Sequence, residues 1–521
     1  MKQNSFSTWF KSYFRFDSYQ AILKKEIIGG LSTFLAMAYI LAVNPGIVGN
    51  APLDPANPAN TAFQYAGGLF LATAIASSVA TMVMGLFARI PVALAPGMGL
   101  NAFFAFTVAQ QIGFQSALTV TILSGIGYFI IVVTPLREKI SQMMPTNLKL
   151  AIGVGIGIFI GYIGLQNSQI IVKDPGVLVS RLGDFGHPLV ILALVMIFIG
   201  LVLHYAKVPG AIILTMLIGA IILIPLIATN SFTAANPDSI NPAKVGYQGF
   251  NTFGDVVKAG WLGFANVEMW KNPMTYIGTL SFLYMDFFDT TGTLITIDKT
   301  VNLSKHEPKW LAKANLVDAV STIAGAGIGA TTVSSFIESS TGISAGAKTG
   351  FASVVTSLCL ASTIALWPIL QIFMPVNIFN DQGQLVESFQ PVTGPILVLI
   401  GAVMIGQIRH FEWEIMIDIP MLFMTIIMMT LANSIAYGIA FGTLTFVILN
   451  GSLGLIQTLF KKEKKIVNTI EIPMSESGTK IKTREFHYLK RINISLILIA
   501  LISIIFIVLQ TGINFHHWFA K

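Results

Sequence analysis

The sequence predicts an all-α polytopic membrane protein: two seven-span sets lying upside-down relative to each other, fourteen transmembrane spans, plus an extra C-terminal span. Three observations predict it. The 521 residues are 54% hydrophobic and only 11% charged, with a mean hydropathy of +0.74, whereas soluble domains are roughly one-quarter charged. Apolar runs of about 20 residues, the length that crosses the hydrocarbon of a bilayer, recur from one end of the chain to the other. Lys and Arg also segregate by loop. With the N-terminus inside, the loops on that side hold all but six of the 31, the exceptions being Lys173, Arg181, Lys244, Lys258, Lys271 and Lys521. This is the positive-inside bias, so the net charge of +7 reads as topology and not as a nucleic-acid surface.

Taken in order, residues 1–25 scatter Phe and Trp among Lys and Arg and lack the compact apolar region of a signal peptide. They read as a cytoplasmic N-terminal arm at the membrane interface. The first seven-span repeat occupies 26–232, with spans near 26–48, 63–88, 92–109, 115–135, 148–168, 188–206 and 209–229, bounded by Gly, Pro and charge. An extracellular connection, 233–271, follows, with turns at Asn236–Asp238 and Asn241–Lys244. The second repeat, 272–459, has spans near 273–296, 313–330, 331–347, 350–374, 392–408, 415–431 and 433–459. A basic cytoplasmic segment, 460–491, precedes the additional transmembrane span at 492–512. Seven is odd, so two such sets can be repeats only if inverted, an arrangement common in secondary transporters. A short echo, TFLAMAY at Thr33–Tyr39 against SFLYMDF at Ser281–Phe287, opens the two sets and exchanges Ala38 for Asp286.

Three stretches carry chemistry. In LSFLYMDFFDTTGT, Leu280–Thr293, Asp286 and Asp289 share one helical face. A charged group at mid-membrane costs about 2.5–3.5 kcal/mol on insertion scales unless it meets protein, water or a partner. Asp286 therefore has a functional reason, the alternative being a structural acid bonded to a neighbouring helix. Asp289, Thr290 and Thr332 read as supporting groups. In GATTVSSFIESSTGISAGAKTG, Gly329–Gly350, Glu338 lies among hydroxyls and glycines. Such a segment is tolerable at membrane depth only as a broken helix lining a cavity. ALAPGMGLNAFFAF, Ala93–Phe106, is interrupted at Pro96, Gly97 and Gly99 just before Asn101, and it holds the third place of its set as the Glu338 segment does of its own. Paired interruptions at corresponding positions point to a transporter's binding site. Asn101 offers donors and an acceptor together, while Phe103, Phe104 and Phe106 serve either the core or a flat ligand.

Other features exclude rivals. The single cysteine, Cys359, rules out a disulfide framework or a Cys-based metal site. The glycines at Gly153–Gly161 lack the strand–helix context of a nucleotide fingerprint and read as helix packing. Asp318, Glu414 and Asp418 read as structural ion pairs or caps. No Walker motif appears, and no cofactor or enzyme activity is expected. An intramembrane aspartyl protease would need its two aspartates on facing helices, whereas Asp286 and Asp289 share one.

The run from Lys25 through TFLAMAYILAVNP, then APGMGLNAFFA, MDFFDTTGTL, the ESSTG segment and Ile419–Gly442 resemble the nucleobase and ascorbate transporter family, in its AzgA-like purine branch. The resemblance spans roughly residues 20–460. It implies a UraA-like fold with core and gate domains, spans 1–4 and 8–11 forming the core and spans 5–7 and 12–14 a dimerising gate, with short strands in spans 3 and 10. It implies proton-coupled uptake of purine nucleobases (hypoxanthine, guanine, adenine) by a homodimer in the cell membrane. Asp286 and Glu338 would bind substrate and couple protons, and Asn101 would bind substrate. Thr290 stands where some relatives carry a histidine. The extra C-terminal span departs from the family pattern. A uracil/xanthine permease, or a sulfate-type anion transporter of the same fold, is the alternative.

Overall fold

The computed structural model describes residues 5–134, 145–173, 180–208, 210–228, 247–301, 303, 309–370, 373, 376–379, 385–432 and 435–459, with 496, 497, 500, 501, 504 and 507. The expected basic segment 460–491, most of the additional span, and the turns expected at 236–238 and 241–244 lie outside the described residues.

Helices dominate. Among the described residues seven are long and apolar enough to cross a membrane: Leu23–Val48, Ala62–Ala88, Met98–Val133, Thr146–Asn167, Pro188–Tyr205, Thr393–His410 and Tyr437–Ile456. Shorter apolar helices cover Ala211–Leu226, Gly350–Leu366 and Met416–Leu431. The elements that build the site are α1 (Leu23–Met37), α2 (Ile40–Val48), α3 (Ala66–Val83), β1 (Leu94–Pro96), α4 (Met98–Phe103), α5 (Ala109–Val133), α6 (Pro273–Val301), α7 (Trp310–Gly327), β2 (Val333–Ser335), α8 (Ser339–Ser344) and α9 (Gly350–Ser362).

The sequence breaks where its small residues allow. The segment expected as a span over 331–347 is no continuous helix but the strand β2 followed by the short α8. The helix from Met98 runs on to Val133, broken at Gly113, whose φ of +78° suits glycine. The connection before α6 is not simply polar loop: helices Phe253–Leu262 and Val267–Lys271 form in it. The first buries Val256 and Ala259, and its Trp261 indole donates to Gly327 O at 2.9 Å. Two-stranded hairpins (Pro52–Asp54 with Asn57–Thr61, Ile171–Lys173 with Ser180–Leu182, Val376–Phe379 with Leu385–Phe389) lie among the helices.

The chain divides into two compact units, Met1–Pro135 with Ile160–Ile400 and Leu136–Phe159 with Gly401–Lys521, so each draws on both halves of the sequence. In the smaller unit, helix Ile419–Leu431 packs on Ile435–Leu459, with Gly438 and Gly442 set against Met429 and Thr425. Asp418, read from sequence as an ion pair or cap, there accepts from the Asn147 amide at 2.8 Å.

In the larger unit, α1 is fastened along α8 and α9. The buried Glu26 carboxylate accepts from the Lys348 and Thr349 amides at 2.8 and 3.1 Å, satisfying donors that the α9 N-terminus would otherwise leave orphaned. A Cβ on Gly29 would come within 2.6 Å of Ala347 Cβ and 2.8 Å of Gly342 O. Thr356 donates to Gly30 O at 2.9 Å. A Cβ on Gly342 would overlap the Thr33 hydroxyl and the Gly29 carbonyl, and backbone cannot rotate away as a side chain can. Gly342→Ala is therefore expected to part the two helices at a cost of about 1–3 kcal/mol, typical of overpacking. A lowered thermal midpoint in detergent would show it, whereas an unchanged midpoint would refute the close approach.

Candidate functional site

The two interrupted segments meet each other. β1 and β2 pair antiparallel, Leu94 opposite Ser335, Ala95 opposite Ser334 and Pro96 opposite Val333. Gly97 N then donates to Thr332 O at 3.1 Å and Phe336 N to Ala93 O at 2.9 Å. A helix interrupted at membrane depth strands backbone N–H and C=O groups away from water, and each such group unsatisfied costs several kcal/mol. Here each segment answers the other's. Each strand leads into a short helix, α4 or α8, so Asn101 and Glu338 stand just beyond the paired strands.

Against this crossing stand α6 and α7. Asp286, 1% exposed, accepts from the Thr322 hydroxyl of α7 at 2.8 Å through Oδ2. Its Oδ1 is buried and has no partner among the described residues. Asp318 of α7, fully buried, accepts from the Thr290 hydroxyl of α6 at 2.7 Å and from Ser335 of β2 at 2.9 Å. Each helix thus supplies the hydroxyl for the other's acid. Asp318, read from sequence as a structural ion pair or cap, is instead a buried acid joined to the strand crossing through Ser335, by its hydroxyl and its backbone amide.

Glu338 is half-buried and accepts from Tyr39 Oη at 2.8 Å. Asp289 is exposed and lies within electrostatic range of both Glu338 and Asp318, and Asp318 lies within range of Asp286. Four carboxyl groups therefore gather, and among the described residues none has a cationic partner.

Asn101 is fully buried inside a polar network. Its Nδ2 donates to Asn44 Oδ1 at 2.6 Å, and its Oδ1 accepts from the Thr331 hydroxyl. Asn44 in turn donates to Thr73 at 2.8 Å. An amide has two donors and two acceptor lone pairs, so these two bonds leave Asn101 one of each while the network fixes its orientation. Thr332, next to Thr331 in sequence, is buried, and among the described residues its hydroxyl has no partner. Phe103 and Phe104 are core: both are fully buried, meeting Phe282 and Phe114 edge-on at 4.8 and 5.8 Å. Phe106 is half-buried.

Sequence reasoning missed Tyr39, Asn44, Asp318 and Thr322 as parts of one site. A signal existed for the last two. Asp286 and Thr290 are four residues apart, as are Asp318 and Thr322, a shared spacing that two antiparallel helices satisfy reciprocally. Tyr39 closes the TFLAMAY echo, but nothing in the sequence says which acid its phenol would meet.

The family described as Permease family, of the xanthine and uracil type, matches residues 24–441. The chain is 35% identical over 438 residues to the guanine/hypoxanthine permease PbuG of Bacillus subtilis, covering 83% of this chain and 92% of that one. It is 33% identical over 456 residues to the guanine/hypoxanthine permease PbuO of the same organism, covering 85% and 94%. It is 29% identical over 452 residues to the adenine permease AdeP of Escherichia coli, covering 86% and 91%. Among solved structures, the transmembrane domain of the cyanobacterial bicarbonate transporter BicA superposes with a TM-score of 0.53 at 16% identity, over 80% of this chain and 97% of that one. That last likeness is one of fold.

Removing one hydroxyl of the reciprocal pair strands an acid. Thr322→Val should leave both Asp286 oxygens without a protein donor and lower stability by about 1–3 kcal/mol, the cost of an unsatisfied buried group. Thr322→Ser should restore most of it. Equal thermal midpoints for the Val variant and the parent would show that the hydrogen bond is not made.

Proposed function

Because the chain belongs to this permease family, we propose that it is a proton-coupled secondary transporter importing purine nucleobases (hypoxanthine, guanine or adenine) across the cell membrane. The observation that carries the reading is the paired strand crossing with carboxyl groups around it: a setting that needs hydrogen-bond donors and in which the described residues offer hydroxyls and no cation. A purine brings ring N–H groups, and a proton fills what remains.

The roles divide by burial. Glu338, half-buried beside the crossing, accepts a ring N–H, and Asn101 contributes its remaining donor and acceptor. Asp286 takes the proton on Oδ1, the oxygen that no described residue fills. Burial in general favours the neutral form of a carboxyl group. If proton and base bind more tightly together than apart, each raises the other's affinity by the same factor, and transport follows the gradient without ATP. Asp289, Thr290 and Thr332 support these groups.

The resemblance supplies the rest of the proposal: inverted repeats over 26–232 and 272–459, a core of spans 1–4 and 8–11, a gate of spans 5–7 and 12–14, a homodimer, and a cytoplasmic N-terminus. The position of β1 and β2 in the third and tenth spans supports the repeat. An anion carrier of this fold is disfavoured, since four carboxyl groups would repel its cargo. A uracil or xanthine permease is separated by competition.

The test is uptake of radiolabelled hypoxanthine, guanine and adenine into proteoliposomes under an imposed inward proton gradient, with unlabelled uracil and sulfate as competitors. Accumulation should collapse with a protonophore and be competed by purines alone. Competition by uracil or sulfate would move the protein to a sister function. Asp286→Asn should abolish gradient-driven accumulation, by about 100-fold or more if the proton site is lost, a factor corresponding to about 2.7 kcal/mol, while the protein still inserts. Undiminished pH-driven uptake by this variant would sink the assignment.

A further inference from the structure

We infer that Tyr39 is a specificity-determining residue, holding Glu338 as a hydrogen-bond acceptor so that the site favours 6-oxopurines, which carry an N1–H, over adenine, whose N1 is a lone pair. The inference rests on the purine reading above and deepens it.

Tyr39 is 1% exposed, at the joint between α1 and α2, and its phenol donates to Glu338 Oε1 at 2.8 Å. The contact is built in along the whole of α1. Glu26 binds the α9 N-terminus, Gly29 and Thr33 close on Gly342, and Tyr39 reaches Glu338 at the start of α8. The glutamate's own amide N–H also bears on its carboxylate. With these two donors the group is held as an acceptor. A carboxylate has about four lone-pair sites, so those left face the ligand and ask for donors.

The pyrimidine edge of hypoxanthine answers with N1–H, and that of guanine with N1–H and the 2-amino group. Adenine sets its N1 lone pair against the same oxygens, and 1-methylhypoxanthine replaces the N–H by a methyl. Sites built around one hydrogen bond reject the analogue that lacks it by large factors, because a buried polar group is then left unpaired. Without the phenol, the Glu338 carboxyl is free to turn and to carry a proton of its own, which adenine N1 would accept.

The experiment uses the full-length protein in proteoliposomes, with radiolabelled hypoxanthine competed by guanine, adenine and 1-methylhypoxanthine. In the parent protein adenine and 1-methylhypoxanthine should each compete at least about tenfold more weakly than guanine. In Tyr39→Phe the KM for hypoxanthine should rise about tenfold with a smaller change in maximal rate, and the gap between guanine and adenine should narrow to about threefold or less. A uniform weakening of every competitor in Tyr39→Phe would reduce Tyr39 to a structural role and overturn the inference. So would a parent protein that takes up hypoxanthine without discriminating N1-methylation. Glu338→Gln serves where Tyr39→Phe does not insert: its carboxamide offers a donor, so adenine should gain on guanine, and no gain would overturn the inference. Failure of the parent to take up any purine removes the purine reading itself, a result distinct from uptake without discrimination.

Discussion

Everything in the larger unit is arranged around the exchange of backbone hydrogen bonds between β1 and β2. A transmembrane helix is the solution in which a segment satisfies its own backbone; two interrupted helices give that up and must find partners at the same depth. Three residues of strand on each side, extended by the Gly97 and Phe336 amides, restore the balance. The result places two short helices and their leading polar residues, Asn101 and Glu338, beside one crossing. The hydroxyls of Thr322 and Ser335 then tie α7 to β2, since Thr322 also reaches Val333 O at 3.2 Å and Ser335 reaches Asp318. Remove the crossing and each acid loses the wall against which it is held.

How much of this was legible follows from what each kind of residue can report. Hydropathy located α1 with α2, the helix ending at Ala88 and the start of α6, because burial in lipid demands apolar residues throughout a span. Pro96, Gly97 and the hydroxyl run Thr331–Ser335 showed that two segments could not be ordinary helices, and both contain a strand. The helix Phe253–Leu262 was hidden because its segment is polar on average and buries only one face. The hairpins were hidden too, being short and set in loops where local propensity outweighs pattern.

For the site, the sequence marked Asp286, Glu338 and Asn101 by their cost in an apolar setting. It undervalued Asp318, whose place near the end of its expected span suggested a structural ion pair or cap. Only the antiparallel pairing of α6 and α7 turns its side chain toward Thr290. Tyr39 could not be ranked at all, because aromatic residues are common in spans, and the identity of its partner is a tertiary fact. The compact units likewise cut across the two seven-span sets, since neighbours in space here are not neighbours in sequence.

The reciprocal bonds between α6 and α7 have a genetic consequence. Asp286 leans on a hydroxyl of α7 and Asp318 on a hydroxyl of α6, so damage at one helix is felt by the acid of the other. Second-site revertants of a lesion at Thr322 belong on α6, around Asp286, and those of a lesion at Thr290 belong on α7, around Asp318. Inheritance follows the pair, not the helix: a recombination event that separates residues 286–290 from 318–322 would part each acid from the lineage of its own donor.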